Sequence, residues 1–410
     1  MGEDQRLDKF DHRRLGNELK LFHFSEFAPG MAFWLPNGTR LRKRLEDILY
    51  KAHKDRGYEP ILTPRIMDVA LWKISGHYQN YADNMFFSEV EKRENALAPM
   101  NCPGHVITYK QDIRSYKDLP LRYFEFGQVH RNENSGSLHG LFRVREFTQD
   151  DAHIIVTESQ IQDEIKDVME FVDSLLTSFG FTYEINFSTR PEKSIGSDEV
   201  WEKAESAIQS ALKELKQPYK INSKDGAFYG PKLDIKIKDN HGRYWQLSTI
   251  QIDFNLPERF SMEYIDEMGE KQRPVMIHRA IAGSIERLIG IMLEHYSGIL
   301  PLCIAPIQAA LIPISNQSEK QMEYLASLTK ELKALDIDLE IYDGQDTFNK
   351  RIKNAEDMKI PLILIIGDEE ADSKTINVRN KIEQRRYQIS EKELLEYITK
   401  QMKKIYKRGL

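Results

Sequence analysis

Two cysteines in 410 residues, Cys102 and Cys303, are too few for a disulfide framework. No apolar run reaches the roughly 18 to 20 residues that a membrane helix needs. The opening MGEDQRLDKFDHRRLG is charged throughout and lacks the apolar stretch of a secretory signal. Nothing in it directs export, so the cytoplasm is the default compartment, with a processed organellar form left open. Internal repeats, low-complexity tracts and Ser/Gly linkers are also missing. Neither sign of charge dominates, and a formal net charge of -6 argues against a protein that coats nucleic acid through its overall field. With 40% hydrophobic and 30% charged residues, the chain resembles a soluble globular protein. Its length favours two or three domains.

Hydrophobic periodicity then orders the chain. Residues 39–56 have apolar positions at helical spacing (Leu41, Leu45, Ile48, Leu49, Ala52), with Gly57 as a stop. YEPILTPRIM reads as a short edge or interface strand broken by prolines. Residues 121–131 and 143–156 read as strands joined by ENSGSLHGL, a mobile loop. A clear amphipathic helix covers 157–180, with Thr157 as candidate N-cap and Gly180 past its end. Alternating runs follow at 183–188, 232–238 and 244–254, then an expected helix from about 279 to 296. From about 306 the pattern becomes strand 307–312, helix 317–335, strand 338–342, helix 347–358, strand 361–366. This βαβαβ order predicts a separate α/β domain with a parallel or mixed sheet, the seam falling near 300–305.

Chemistry concentrates in the strand-loop-strand unit. Arg131 and Glu133 end its first strand, and Arg143 opens its second. Phe147, Gln149, Asp151 and His153 have period two and share a face. An aromatic, an amide, a carboxylate and an imidazole make a poor core and a plausible site, the alternative being the solvent face of an edge strand. In RAIAGSIERLIG, Ala280, Ser284 and Arg287 share a helical face where something can approach closely, or where two helices simply pack. Cys102, in PMNCPGH, falls where the backbone turns sharply and a thiol is open to presentation. Cys303, in ILPLCIAPI, reads as a small buried hydrophobe. The cluster Lys400, Lys403, Lys404, Lys407 and Arg408 reads equally as a solvated helix end or an RNA contact.

These elements in this order resemble the class II aminoacyl-tRNA synthetases. RGYEPILTPRIM, with Pro64, is similar to their motif 1, at the dimer interface; HRNENSGSLHGLFRVREF to motif 2; AGSIERLIG to motif 3 with its arginine. MNCPGH, FTQDDAH, STRPEKSIGSDE, GAFYGPK and VMIHRA resemble the threonyl-tRNA synthetases in particular. The resemblance implies an α+β fold. A class II antiparallel sheet flanked by helices would occupy residues 1–303, and a smaller α/β anticodon-binding domain 304–410. Many members carry two further N-terminal domains, one of which edits seryl-tRNA; residues before about 20 contain neither.

The resemblance also implies roles. Cys102, His153 and His278 match the positions that bind one catalytic zinc per chain, which no spacing rule would find. Two imidazoles and a thiolate leave an open position on the ion, which in the family takes the amino group and hydroxyl of L-threonine. Asp151 would hold the hydroxyl, with Gln149, Tyr229, Gln251, Ala280 and Ser284 completing the threonine and adenylate pocket. For ATP with magnesium, Arg131 falls on the α-phosphate, Arg287 on the γ-phosphate, and Glu133, Arg143 and Phe147 around the bent nucleotide. His77 matches a histidine that assists transfer to tRNA(Thr), its alternative being a structural loop residue. Glu370 and Arg379 match anticodon contacts. A homodimer is implied, and no membrane partner.

Glu146 departs from the family's usual glycine and is expected on the face opposite Phe147. Gln345 replaces an expected asparagine, and NKIEQRRYQ replaces the usual basic, glycine-containing turn. Three competing readings are a class II synthetase for proline or histidine, a retired enzyme that only binds RNA or a partner, and a metal-dependent hydrolase. The Cys102, His153, His278 set opposes the first, retention of Arg131, Glu133 and Arg287 the second, and the lack of an HExxH helix the third.

Overall fold

The computed structural model describes residues 8–227, 229–239 and 242–403. Phe228 of GAFYGPK, and Lys404, Lys407 and Arg408 of the basic end, lie outside the described residues. Contacts divide the chain into two compact units. One holds the described residues up to Ser25, Ala32–Ile48 and those from Ile289 onward; the other holds Glu26–Met31 and Leu49–Leu288.

Helix α1 (Pro36–Lys54) contains the predicted 39–56 stripe, and Gly57 stops it with φ +73°. In the unit centred on Leu49–Leu288 the elements that matter are β1 (Glu59–Pro60), α2 (Cys102–Tyr109), β2 (Leu121–His130), β3 (Glu146–Val156), α3 (Ile161–Ser178), β4 (Thr182–Ser188), α4 (Asp198–Glu214), β5 (Tyr219–Asn222), β6 (Lys232–Lys238), β7 (Tyr244–Asp253), β8 (Val275–Ser284) and the start of α5 (Ile285–His295). The strands form one sheet in the order β5-β4-β6-β7-β8-β3-β2-β1. It is antiparallel except at its two ends, where β5 runs parallel to β4 and β1 to β2. Helix α3 buries Ile165, Val168, Met169, Val172, Leu175 and Leu176 at three- and four-residue spacing. It packs on β8 and against α4. Full burial of side chains of this kind stabilises by about 1.5–3 kcal/mol each. The fold is the expected α+β arrangement of an antiparallel sheet flanked by helices, with a smaller α/β unit after it.

YEPILTPRIM is an edge strand broken by prolines, as expected, in two short pieces: β1 at the end of the sheet, and Ile66–Asp68. Three local expectations need correction. Arg143 precedes β3, which starts at Glu146, since the backbone amides of Arg143 and Arg145 go to His139 and Gly30 carbonyls instead. Thr157 caps a single 3-10 turn (Glu158–Gln160) that leads into α3, its amide bonded to Gln160 Oε1 at 3.0 Å. The helix expected from 279 begins only at Ile285; residues 275–284 are β8. Strand β8 lies between β3 and β7 and is buried along almost its whole length, so it lacks the alternation that marks a half-exposed strand. Ala280, Ser284 and Arg287 therefore do not share a helical face.

The second unit contains β9 (Ala309–Pro313), α6 (Glu319–Ala334), β10 (Leu339–Ile341), α7 (Phe348–Asp357), β11 (Leu362–Ile366), β12 (Thr375–Asn380), β13 (Arg385–Ser390) and α8 (Glu391–Met402). Its sheet order is β10-β9-β11-β12-β13, with β9 parallel to both neighbours and the last two pairings antiparallel. The sheet is thus mixed. Strand β9, buried throughout, sends Ala309 and Leu311 into one apolar cluster and Ala310 and Ile312 into another. No helix among the described residues is long and apolar enough to cross a membrane.

Candidate active site

Strand register assembles the site. Phe147, Gln149, Asp151 and His153 project from one face of β3 and line a single cleft of about 490 Å³. Pairing puts His153 opposite His278 of β8, His278 opposite Gln251 of β7, and Asp151 opposite Ala280. Residues far apart in the chain thus become neighbours across three strands. Cys102 arrives separately, as the first residue of α2, with Pro103 in the first turn where a missing amide costs nothing.

One donor atom from each of Cys102, His153 and His278 lies within 4.8 Å of the others, and all three residues are buried. Burial, with His105 and His278 nearby, holds His153 well below the usual histidine range. Neither of its ring nitrogens has a hydrogen-bond partner among the described residues. Buried polar atoms left so cost about 1–3 kcal/mol each, which suits a site built to receive a ligand. His278 is held differently, its Nε2 3.0 Å from Asp253 Oδ2. Burial opposes its charged form, but the Cys102 thiol and Asp253 outweigh that and raise its pKa to about 10. Burial also raises the Cys102 thiol. Two imidazoles and a thiol, one ring oriented by a carboxylate, can hold a metal ion that displaces their protons. Asp253 is itself locked by the amides of Asn255 (2.6 Å) and Leu256 (3.1 Å).

Beside this set, Asp151 accepts a hydrogen bond from Asn101 Nδ2 at 3.0 Å. Burial raises its pKa, with His105 and Asn101 opposing. Asn101 has room only because residue 127 is glycine: a Cβ there would lie 2.1 Å from Asn101 Nδ2. The Tyr229 hydroxyl donates to Gln251 Oε1, and burial pushes it well above the usual tyrosine range, so it stays a neutral donor.

Cations gather along the rest of the cleft. Arg131 lies 5.0 Å from the Phe147 ring centroid, and its Nε donates to the Pro99 carbonyl at 3.1 Å. Arg143 pairs with Glu133 through Nε at 3.0 Å and Nη2 at 2.9 Å. Arg287, in the first turn of α5, donates to the Phe142 carbonyl through Nε (3.2 Å) and Nη2 (3.1 Å), and to the Gln246 carbonyl through Nη1 (3.1 Å). Burial lowers its pKa, and repulsion from Arg131 and Arg143 adds to that. The planar guanidinium groups of Arg131, Arg143 and Arg287, beside an aromatic face, suit a polyphosphate joined to a base. Ala280 and Ser284 line the same cleft from β8. Glu146 points away, bonded to Gln128 and 3.7 Å from His130 Nε2, as alternation required.

His77 is buried beside the cleft. It lines a small adjoining cavity with Cys102, Asp253 and His278, its Nδ1 2.7 Å from Ser75 Oγ and its Nε2 3.2 Å from Met100 Sδ. Burial lowers its pKa to about 4, leaving a neutral ring. Glu370 and Arg379 belong to the other unit. Glu370 is buried, with Oε2 accepting from the Gly367 amide (2.9 Å) and Oε1 from Asn377 (2.6 Å). Arg379 pairs with Glu356 at 3.2 Å. Asn101 and Asp253 escaped the sequence reading: each acts on a residue far away in the chain or across the sheet, and neither stands in a periodic pattern.

Residues 86–296 match the tRNA synthetase class II core domain (G, H, P, S and T), and residues 308–401 match an anticodon binding domain. Threonine–tRNA ligase of Campylobacter lari is 52% identical over 374 residues, 91% of this chain and 62% of the relative. That of Nautilia profundicola is 52% identical over 398 residues, 95% of this chain and 65% of the relative. The chain thus spans just under two thirds of the length of these relatives. A crystal structure of the RNA binding domain of threonyl-tRNA synthetase from Cryptosporidium parvum Iowa II superposes with a TM-score of 0.91 at 41% identity, covering 95% of this chain and 98% of that one.

Proposed function

The chain belongs to the threonyl-tRNA synthetase family of the class II aminoacyl-tRNA synthetases, and we propose that it is a threonine–tRNA ligase. It would join L-threonine and ATP into threonyl-adenylate and pyrophosphate, then pass the threonyl group to the 3′ end of tRNA(Thr). The observation that carries this reading is the adjacency of Cys102, His153 and His278 to Asp151, in a cleft that also gathers Arg131, Arg143 and Arg287. The orphaned nitrogens of His153 and the mixed thiol and imidazole donors fit one zinc ion per chain. Cys102, His153 and His278 would hold it, and it would supply a Lewis acid for the polar groups of threonine.

The protein's own residues do the rest. Asp151, fixed by Asn101, accepts a hydrogen bond from the threonine hydroxyl. Gln149, Tyr229, Gln251, Ala280 and Ser284 enclose the amino acid and the adenylate. A carboxylate oxygen of threonine attacks the α-phosphorus, and the bond to pyrophosphate breaks. Arg131 neutralises the α-phosphate and Arg287 the γ-phosphate, with magnesium carried in on ATP; Glu133 and Arg143 hold the bent nucleotide, and Phe147 stacks on adenine. In the second step the terminal ribose hydroxyl attacks the carbonyl carbon of the adenylate, the acyl–phosphate bond breaks and AMP leaves, and His77, neutral, orients the hydroxyl or takes its proton. We assign residues 1–303 to this chemistry and 304–410 to the anticodon, with Glu370 and Arg379 as its contacts. A homodimer formed around Pro64 in the cytoplasm completes the assignment. ATP–pyrophosphate exchange with each amino acid, with and without a zinc chelator, tests it. Exchange should depend on threonine and be lost to the chelator; exchange driven by proline or histidine would overturn it.

A further inference from the structure

We propose that Asp150 and Glu286 are positioning residues, two buried carboxylates that fix the junction between β8 and α5 and so hold Arg287 for the phosphate end of ATP. The inference rests on the ligase reading above. Asp150 stands between Gln149 and Asp151 on β3, so alternation turns it away from the cleft those two line. Its Oδ2 accepts the backbone amides of Ile281 (2.9 Å) and Ala282 (2.8 Å). Those amides fall where the pairing of β8 with β3 slips, between Ala280 and Ser284. A regular ladder would give them carbonyl acceptors; at the slip the carboxylate takes that place, and a buried amide must have some acceptor. Glu286 acts in the opposite direction, its Oε2 accepting the Thr148 amide of β3 at 2.8 Å. Each strand thus lends amides to a carboxylate fixed on the other side of the break.

The chain needs that break. Gly283 has φ +68° and passes so close to the Leu247 carbonyl that a Cβ would lie 2.5 Å from its oxygen. Directly after it, Ser284 Oγ accepts the Arg287 amide at 3.1 Å and starts α5. The guanidinium that meets Phe142 and Gln246 is therefore aimed by a junction whose amides are held by Asp150 and whose first helical turn is held by Glu286. Arg279, buried against the Tyr58 ring, donates to the Asp150 carbonyl at 3.1 Å and keeps a cation near the Asp150 carboxylate. Neither Asp150 nor Glu286 lines the cleft, so neither touches substrate.

The test compares Asp150→Ala with Asp150→Asn and Glu286→Ala with Glu286→Gln, in threonine-dependent ATP–pyrophosphate exchange counted per active site titrated by adenylate formation. The alanine variants should lose about 10- to 100-fold in kcat, the effect of displacing a catalytic contact by about an ångström, with a raised KM for ATP. Their KM for threonine and their bound zinc should stay near wild type. The amide variants keep an acceptor oxygen and should remain within about 3-fold of wild type. Alanine variants equal to a competent wild type sink the clamp alone, as does a parallel loss of threonine affinity and zinc, which marks general loosening. A wild type without threonine-dependent exchange sinks the ligase reading and the clamp with it. Should Asp150→Ala fail to fold, the Glu286 pair decides.

Discussion

Adding one methyl group at Gly127 should weaken threonine use without touching any residue that meets threonine. Gly127 lies opposite Gln149 in the β2–β3 ladder, and its backbone is outside the left-handed region, so alanine keeps the strand. The new Cβ, however, would lie 2.1 Å from Asn101 Nδ2 and 2.5 Å from its Cγ. Asn101 is 2% exposed and must swing away, which breaks its 3.0 Å bond to Asp151. A hydrogen bond to a charged acceptor contributes about 1.5–3 kcal/mol. At about 1.4 kcal/mol per tenfold, kcat/KM for threonine should fall roughly 10- to 150-fold. The KM for ATP should hold, since Arg131 and Arg287 are anchored to the carbonyls of Pro99, Phe142 and Gln246 rather than to Asn101. Steady-state exchange at varied threonine measures the effect. Asn101→Ala should reproduce it, and Gly127→Ala added to that background should cost little more, because the two act through one contact. A Gly127→Ala enzyme with wild-type threonine kinetics would refute the reasoning, and so would full additivity of the two losses.

Metal analysis of pure active protein should find one zinc per chain, and Cys102→Ala should lose both zinc and threonine activation while its circular dichroism is unchanged; active protein free of zinc contradicts the pocket. Valine replaces the hydroxyl with a methyl and takes away the donor that Asp151 would receive from threonine, so exchange assays should show discrimination of roughly 10⁴ or more against it. Serine lacks only one methyl and should be disfavoured by roughly 10- to 200-fold; rejection of serine as strong as that of valine would count against a site built on the hydroxyl. Sedimentation at micromolar concentration should find a dimer that survives removal of residues 306–410, with exchange largely kept and aminoacylation reduced; a monomer contradicts the role given to Pro64.

What could be read without coordinates follows from how each signal is written in the chain. The face of β3 was legible because a strand with polar chemistry on one side alternates, and Phe147, Gln149, Asp151 and His153 do line one cleft. Strand β8 was read as a helix over its second half because it is buried on both faces, and a uniformly apolar run with small residues matches a buried helix equally well. The grouping of Cys102, His153 and His278 depends on register: sliding β8 by one residue against β3 would turn His278 to the other face. No local pattern records that register, so only the family resemblance could pair them. Deeper still are Asn101, Asp150, Asp253 and Glu286, whose partners are an Asp151 oxygen, backbone amides at a strand slip, an imidazole and a β3 amide. Backbone amides are identical at every non-proline position, so a carboxylate that binds them leaves no matching residue in the sequence to betray it. Such residues come to light only when buried hydrogen bonds are accounted for one by one, and around this cleft they hold the chemical groups in place.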